Sequence, residues 1–97
     1  MANHVELDPG MRQHLISRLR RIEGQTQGVQ RMLAEDRDCS EVMNQLASIR
    51  AATHSASLIL IREYMLARMQ SCPETSSEDE IDRTVKQILG VLANTPY

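Results

Sequence analysis

Along the first third of the chain Leu15, Leu19, Ile22, Thr26, Val29 and Leu33 recur in steps of three and four, the repeat of one helix face. Asp8-Pro9 ahead of them has the form of an N-cap followed by proline at the first helical position, so the spacing predicts a helix over about 9–35. Glu35-Asp36-Arg37-Asp38 breaks the stripe. Asp38 with Glu41 then has the capping-box form and opens a second helix. From Val42 through Met43, Leu46, Ile49, Ala52, Ala56, Ile59, Leu60 and Met69 the helical spacing continues until Pro73, predicting a helix over about 39–72. Ser77 with Glu80 forms another box, and Ile81, Val85, Ile88, Leu89 and Leu92 follow at helical spacing, predicting a third helix over about 78–92. The fold class is all-α, with three helices per chain.

At 1.5 Å per residue the second helix is a rod about 45–50 Å long. Two short neighbours cannot cover it, so part of its apolar surface is expected against another subunit. On the first helix the arginines line one flank of the stripe and the outer face, and Gly24 and Gly28 sit one turn apart beside Arg21, where another backbone has room to approach.

Composition sharpens this picture. The chain has 97 residues, 41% hydrophobic and 25% charged, with a net charge of −2, which is expected of a single domain over 1–97 with a flexible arm at 1–8. Phe and Trp are absent, leaving Tyr64 and Tyr97 as the aromatics, and a thin aliphatic core again points to an oligomer. No run reaches the roughly 18 apolar residues of a membrane span, and the first ten residues lack the basic and apolar regions of a signal peptide. The expected location is the cytoplasm.

The net charge hides an asymmetry. Arg12, Arg18, Arg20, Arg21 and Arg31 stand against Glu23 alone, whereas Glu74, Glu78, Asp79, Glu80 and Asp82 stand against Arg83. The acidic run falls where the helix dipole favours it. Of the 11 basic residues all but Lys86 are arginine, whose planar fork matches phosphate oxygens. Two readings stay open: solvated helix faces, or a surface for an anionic partner.

No glycine-rich phosphate loop, HExxH motif or nucleophile elbow occurs, and His4, His14 and His54 are scattered, so no enzyme is expected. Two cysteines, Cys39 and Cys72, are too few for a disulfide scaffold; each is an apolar filler, a metal ligand or a redox centre. In the first turn of its helix Cys39 meets unpaired N–H groups and the positive dipole end, which favour a thiolate. Cys72 falls at the other end of the same rod, where the dipole disfavours one. The two thiols can meet only across a dimer of antiparallel rods.

The runs RLRRIEGQTQGVQRMLAEDRDC at 18–39 and QLASIRAA at 45–52 closely resemble the copper- and nickel/cobalt-sensing repressors of bacteria, the CsoR/RcnR family, which also includes formaldehyde and persulfide sensors. The likeness covers about 10–92. It implies an antiparallel dimer forming a four-helix bundle, and a homotetramer as a dimer of dimers. It further implies an operator-binding repressor without a helix-turn-helix, with Arg18, Arg20, Arg21 and Arg50 facing double-stranded DNA and Gln25 as a polar contact. An inducer would bias the tetramer towards a form that binds DNA poorly.

The inducer site is where the chain departs from its relatives. Copper sensors carry a histidine 25 residues after the first cysteine and a second cysteine 4 beyond it, positions held here by Tyr64 and Arg68. Neither side chain suits copper(I), and a permanent cation at Arg68 opposes a metal ion there. Persulfide sensors keep the first cysteine, and their second thiol falls at Arg68, one turn before Cys72. The leading expectation is therefore a thiol switch, with a reactive sulfur species acting on Cys39 and Cys72 of the partner chain beside Tyr64 and Arg68. No cofactor is required by that reading. The alternative keeps the fold and makes copper or nickel the effector, held by Cys39 with unconventional ligands. An alternative of another class is a helical interaction module that binds no DNA.

Overall fold

The computed structural model describes residues 7–72 and 74–94. His4, Pro73, Tyr97 and most of the expected N-terminal arm lie outside the described residues. Three helices follow in order: α1 (Pro9–Ala34), α2 (Cys39–Gln70) and α3 (Glu78–Ala93). There is no strand among the described residues. The chain divides into two compact units, one of them Asp8–Ser57 and the other holding Leu7 and the described residues from Leu58 onward.

In the first unit α1 begins as its sequence dictates. The Asp8 carboxylate accepts a hydrogen bond from the Met11 N–H at 3.3 Å, with proline in the first helical turn. Its end is less obvious. The Asp36 N–H donates to the Leu33 carbonyl at 3.3 Å and the Arg37 N–H to the Met32 carbonyl at 3.0 Å, the two bonds of a Schellman motif. Asp36 sits at the left-handed position with φ of 53°, where glycine is the usual occupant. Asp38 then starts α2, its backbone carbonyl accepting from the Val42 N–H at 3.2 Å.

The expected capping box at Asp38 is only half made. Glu41 does not close it, because its carboxylate pairs with Arg37 at 2.9 Å. The Asp38 carboxylate instead takes the Ser40 hydroxyl. Along α2, Thr53 donates to the Ile49 carbonyl at 2.8 Å and Ser57 to the Thr53 carbonyl at 3.1 Å, so these mid-helix hydroxyls are satisfied by their own helix. A single side-chain bridge ties α1 to α2 here among the described hydrogen bonds: Gln25 Nε2 donates to Ser48 Oγ at 3.5 Å.

The apolar stripe divides in two. Leu15, Val29 and Val42 are buried, and Ile22 and Thr26 are half-buried. Leu19 and Leu33 are 54% and 62% exposed, and Met43 on α2 is 63% exposed. Helical spacing marks which positions share a face; how much of that face is covered depends on neighbours that this unit does not supply.

In the second unit α2 ends at Gln70, two residues before the expected boundary. The Ser71 N–H still reaches the Ala67 carbonyl at 3.1 Å, but the Cys72 N–H shortens to the Met69 carbonyl at 3.2 Å, and the last turn tightens. Ser77 caps α3 by accepting from the Glu80 N–H at 3.3 Å. At the far end Asn94 closes the helix onto Gly90, with its N–H at 3.3 Å and its side-chain amide at 3.0 Å from that carbonyl. Tyr64 and Ile88 are buried, while Leu58, Leu60, Leu66, Met69, Ile81, Val85 and Leu89 remain exposed.

Candidate sensor site and basic face

Cys39 is the first residue of α2 and is exposed. The donors around it are already in use. Ser40's hydroxyl holds the Asp38 carboxyl below its ordinary value of 3.8; slight desolvation works against this, and the Ser40 and Glu41 N–H groups add to the lowering. The Asp38 carboxylate thus shares the helix N-terminus with the Cys39 thiol.

Cys72 lies in the turn after α2 and not in its last helical turn, which corrects the expected boundary. Its Sγ donates to Ser76 Oγ at 3.4 Å. The thiol borders a cavity of about 240 Å3 that also touches Ser71, Ser76, Arg83 and Gln87. Nothing in the spacing of the sequence pointed to Ser76 or Arg83 as neighbours of this thiol; the turn geometry brings them there.

Tyr64 and Arg68 face one another one turn apart on α2. The guanidinium carbon of Arg68 lies 5.5 Å from the Tyr64 ring centroid, within cation–π range, and the ring is only 5% exposed. The Nη2 atom of Arg68 is buried and has no hydrogen-bond acceptor among the described residues. A buried donor left in that state costs about 1–3 kcal/mol.

Five residues were expected at DNA. Arg20, Arg21 and Arg50 are exposed on their helices, and Arg18 is half-buried, its Nε donating to His14 Nε2 at 3.2 Å. Gln25 is turned inward: it is half-buried against Ser48, and its Oε1 is buried without a partner among the described residues. A methyl group added at Gly24 would meet nothing within 4 Å, and one at Gly28 would meet only Arg31 Nη2, at 3.9 Å, so the glycine side of α1 is open within the chain. His54 is exposed on α2.

Residues 11–94 match the family described as metal-sensitive transcriptional repressors. The chain belongs to that family. That family is one of transcriptional repressors, which are not enzymes. Among similar proteins, the copper-sensing transcriptional repressor RicR of Mycobacterium tuberculosis is 42% identical over 48 residues, 50% of each chain. The copper-sensing transcriptional repressor CsoR of Bacillus subtilis is 36% identical over 50 residues, 52% of this chain and 50% of that one. An uncharacterized protein in the bioA 5′ region of Serratia marcescens is 28% identical over 78 residues, 80% of this chain and 84% of that one. The matches to the two copper-sensing relatives span half of their length.

Membership in a metal-sensitive repressor family raises the question of whether these residues suit a metal. At positions 64 and 68 they do not: a phenol stacked under a guanidinium offers no soft donor and carries a positive charge. Among the described residues of one chain, no three His, Cys, Asp or Glu side chains come together. Cys39 is the exposed thiol among the described residues, and Met43 and Met69 add exposed thioethers. No described helix is long and apolar enough to cross a membrane.

Proposed function

We propose that this chain is a cytoplasmic DNA-binding repressor whose operator affinity is set by an effector acting at Cys39. The family match over residues 11–94 carries the reading, and the exposed Arg20, Arg21 and Arg50 support a phosphate-facing surface. Arg18 and Gln25 belong to the same surface at its inner edge. The exposed apolar side chains of all three helices support a homodimer and homotetramer, the antiparallel bundle of the family resemblance, in which these faces are covered. The whole of 1–97 acts as one such domain.

Metal is the better-supported effector. The family description and the two copper-sensing relatives favour it, with copper ahead of nickel. Such an ion is held by Cys39 and by donors other than Tyr64 and Arg68, drawn from a second copy. A second reading is favoured by the Arg68–Tyr64 stack, which fills the expected ligand positions with a cation. In it the Cys39 thiolate attacks a polysulfide, forming a persulfide and releasing the shortened polysulfide anion. Cys72 of the partner subunit then displaces hydrosulfide, leaving a disulfide.

Fluorescence anisotropy of the reduced protein on DNA from upstream of its own gene, titrated separately with copper(I) and with inorganic polysulfide, separates the two. Release by copper(I) and not by polysulfide, lost in Cys39→Ala, supports the metal reading; the reverse supports the thiol switch. No binding to that DNA or to other duplexes supports an interaction module that binds no DNA.

A further inference from the structure

We infer that Arg68 and Tyr64 form a binding site for a small oxyanion, a carboxylate or a sulfur oxyanion. Three observations converge on it. The guanidinium carbon of Arg68 lies over the buried Tyr64 ring, 5.5 Å from its centroid. Its Nη2 is a buried donor without an acceptor among the described residues. The acidic residue nearest in sequence on the same helix, Glu63, is taken: it pairs with Arg62 at 3.1 Å.

A planar fork with an unmatched edge recognises a group that presents two coplanar oxygens. Away from water each charge-assisted hydrogen bond is stronger than on the surface. Tyr64 is a positioning residue in this site, since its ring holds the guanidinium plane; Arg68 binds the ligand. A spherical anion such as chloride satisfies one donor at a time and is the weaker occupant. A metal cation is excluded from the same place by charge. The site therefore assigns a ligand of opposite sign to the positions where the resemblance places metal donors. This deepens the repressor reading by naming a chemical class for an effector, and it is measured on the protein without DNA so that either can fail alone.

Tyrosine fluorescence tests it. In a Tyr97→Phe background Tyr64 is the remaining tyrosine and the chain has no tryptophan. Sodium chloride is replaced stepwise, at constant ionic strength, by sodium sulfate in one arm and sodium acetate in the other. The expected result is a saturable change in Tyr64 emission in at least one arm, the arm that responds identifying the tetrahedral or the planar oxyanion. Arg68→Lys weakens it about tenfold or more, through loss of the bidentate edge, and Arg68→Met abolishes it with the circular dichroism unchanged. An absent response in both arms, or one of equal strength in Arg68→Met, overturns the site. If Arg68→Met loses its helical signal, Arg68→Lys decides: unchanged affinity overturns the site. An absent anion response together with a shift of Arg68→Met to a smaller species in sedimentation also overturns it, because the missing acceptor then belongs to a second copy.

Discussion

The Arg68 guanidinium rests over the buried Tyr64 ring while one of its own nitrogens lacks an acceptor among the described residues, so one residue both stabilises and strains the C-terminal part of α2. The stacking contributes about 0.5–1 kcal/mol, and the unmatched donor opposes it by about 1–3 kcal/mol. Arg68→Met therefore leaves the stability in denaturant unchanged or raises it by up to about 2 kcal/mol. A clear loss in urea unfolding contradicts this accounting.

Asp36 holds the left-handed position of the α1 C-terminal motif with φ of 53°. A residue with a Cβ in that conformation costs about 1–2 kcal/mol that glycine avoids. Asp36→Gly raises the thermal midpoint by the equivalent of about 1 kcal/mol, and Asp36→Val lowers it. Thermal unfolding followed at 222 nm ranks the three.

Asp38 predicts a pH dependence of definite sign. Its carboxyl is held below the ordinary 3.8 by the Ser40 hydroxyl, so the folded value lies below the unfolded one. The resulting stability is complete above the unfolded value and is lost as pH falls through the folded value. In Asp38→Asn this contribution is absent at every pH. The gap in unfolding midpoint between the two proteins is thus widest near neutrality and closes below about pH 4; a gap that widens with acid contradicts the assignment.

Arg21→Ala and Arg50→Ala test the basic face, both side chains being exposed. Each weakens operator binding and makes the dependence of log affinity on log salt shallower by about one. Lys86→Ala, which removes an exposed ion pair with Asp82 at 2.8 Å, leaves both unchanged. Anisotropy at several salt concentrations reads the slopes; equal slopes in all four proteins remove these arginines from the interface.

The helix starts were legible because they are written in short-range chemistry. Asp8-Pro9 and Ser77 cap the helices that their sequence predicts. Competition between partners was not legible. Glu41 has the spacing of a capping box, yet Arg37 lies as close and carries a full charge. Asp36 takes a glycine conformation without being glycine. Gln25 has the look of a surface contact, but its long amide reaches Ser48 on the neighbouring helix. The four-residue spacing of Tyr64 and Arg68 was visible from the start; that the guanidinium lies over a buried ring was not. The exposed remainder of the stripe marks where a single chain stops being a sufficient description.

The corner between α1 and α2 is closed by bonds that join residues no more than five apart, from Met32 to Arg37. That locality sets a rate. Contacts of such short range form at the speed of loop closure, about 10–100 ns, and a hairpin built on them has low contact order. The turn between α1 and α2 thus forms at a rate that does not depend on protein concentration.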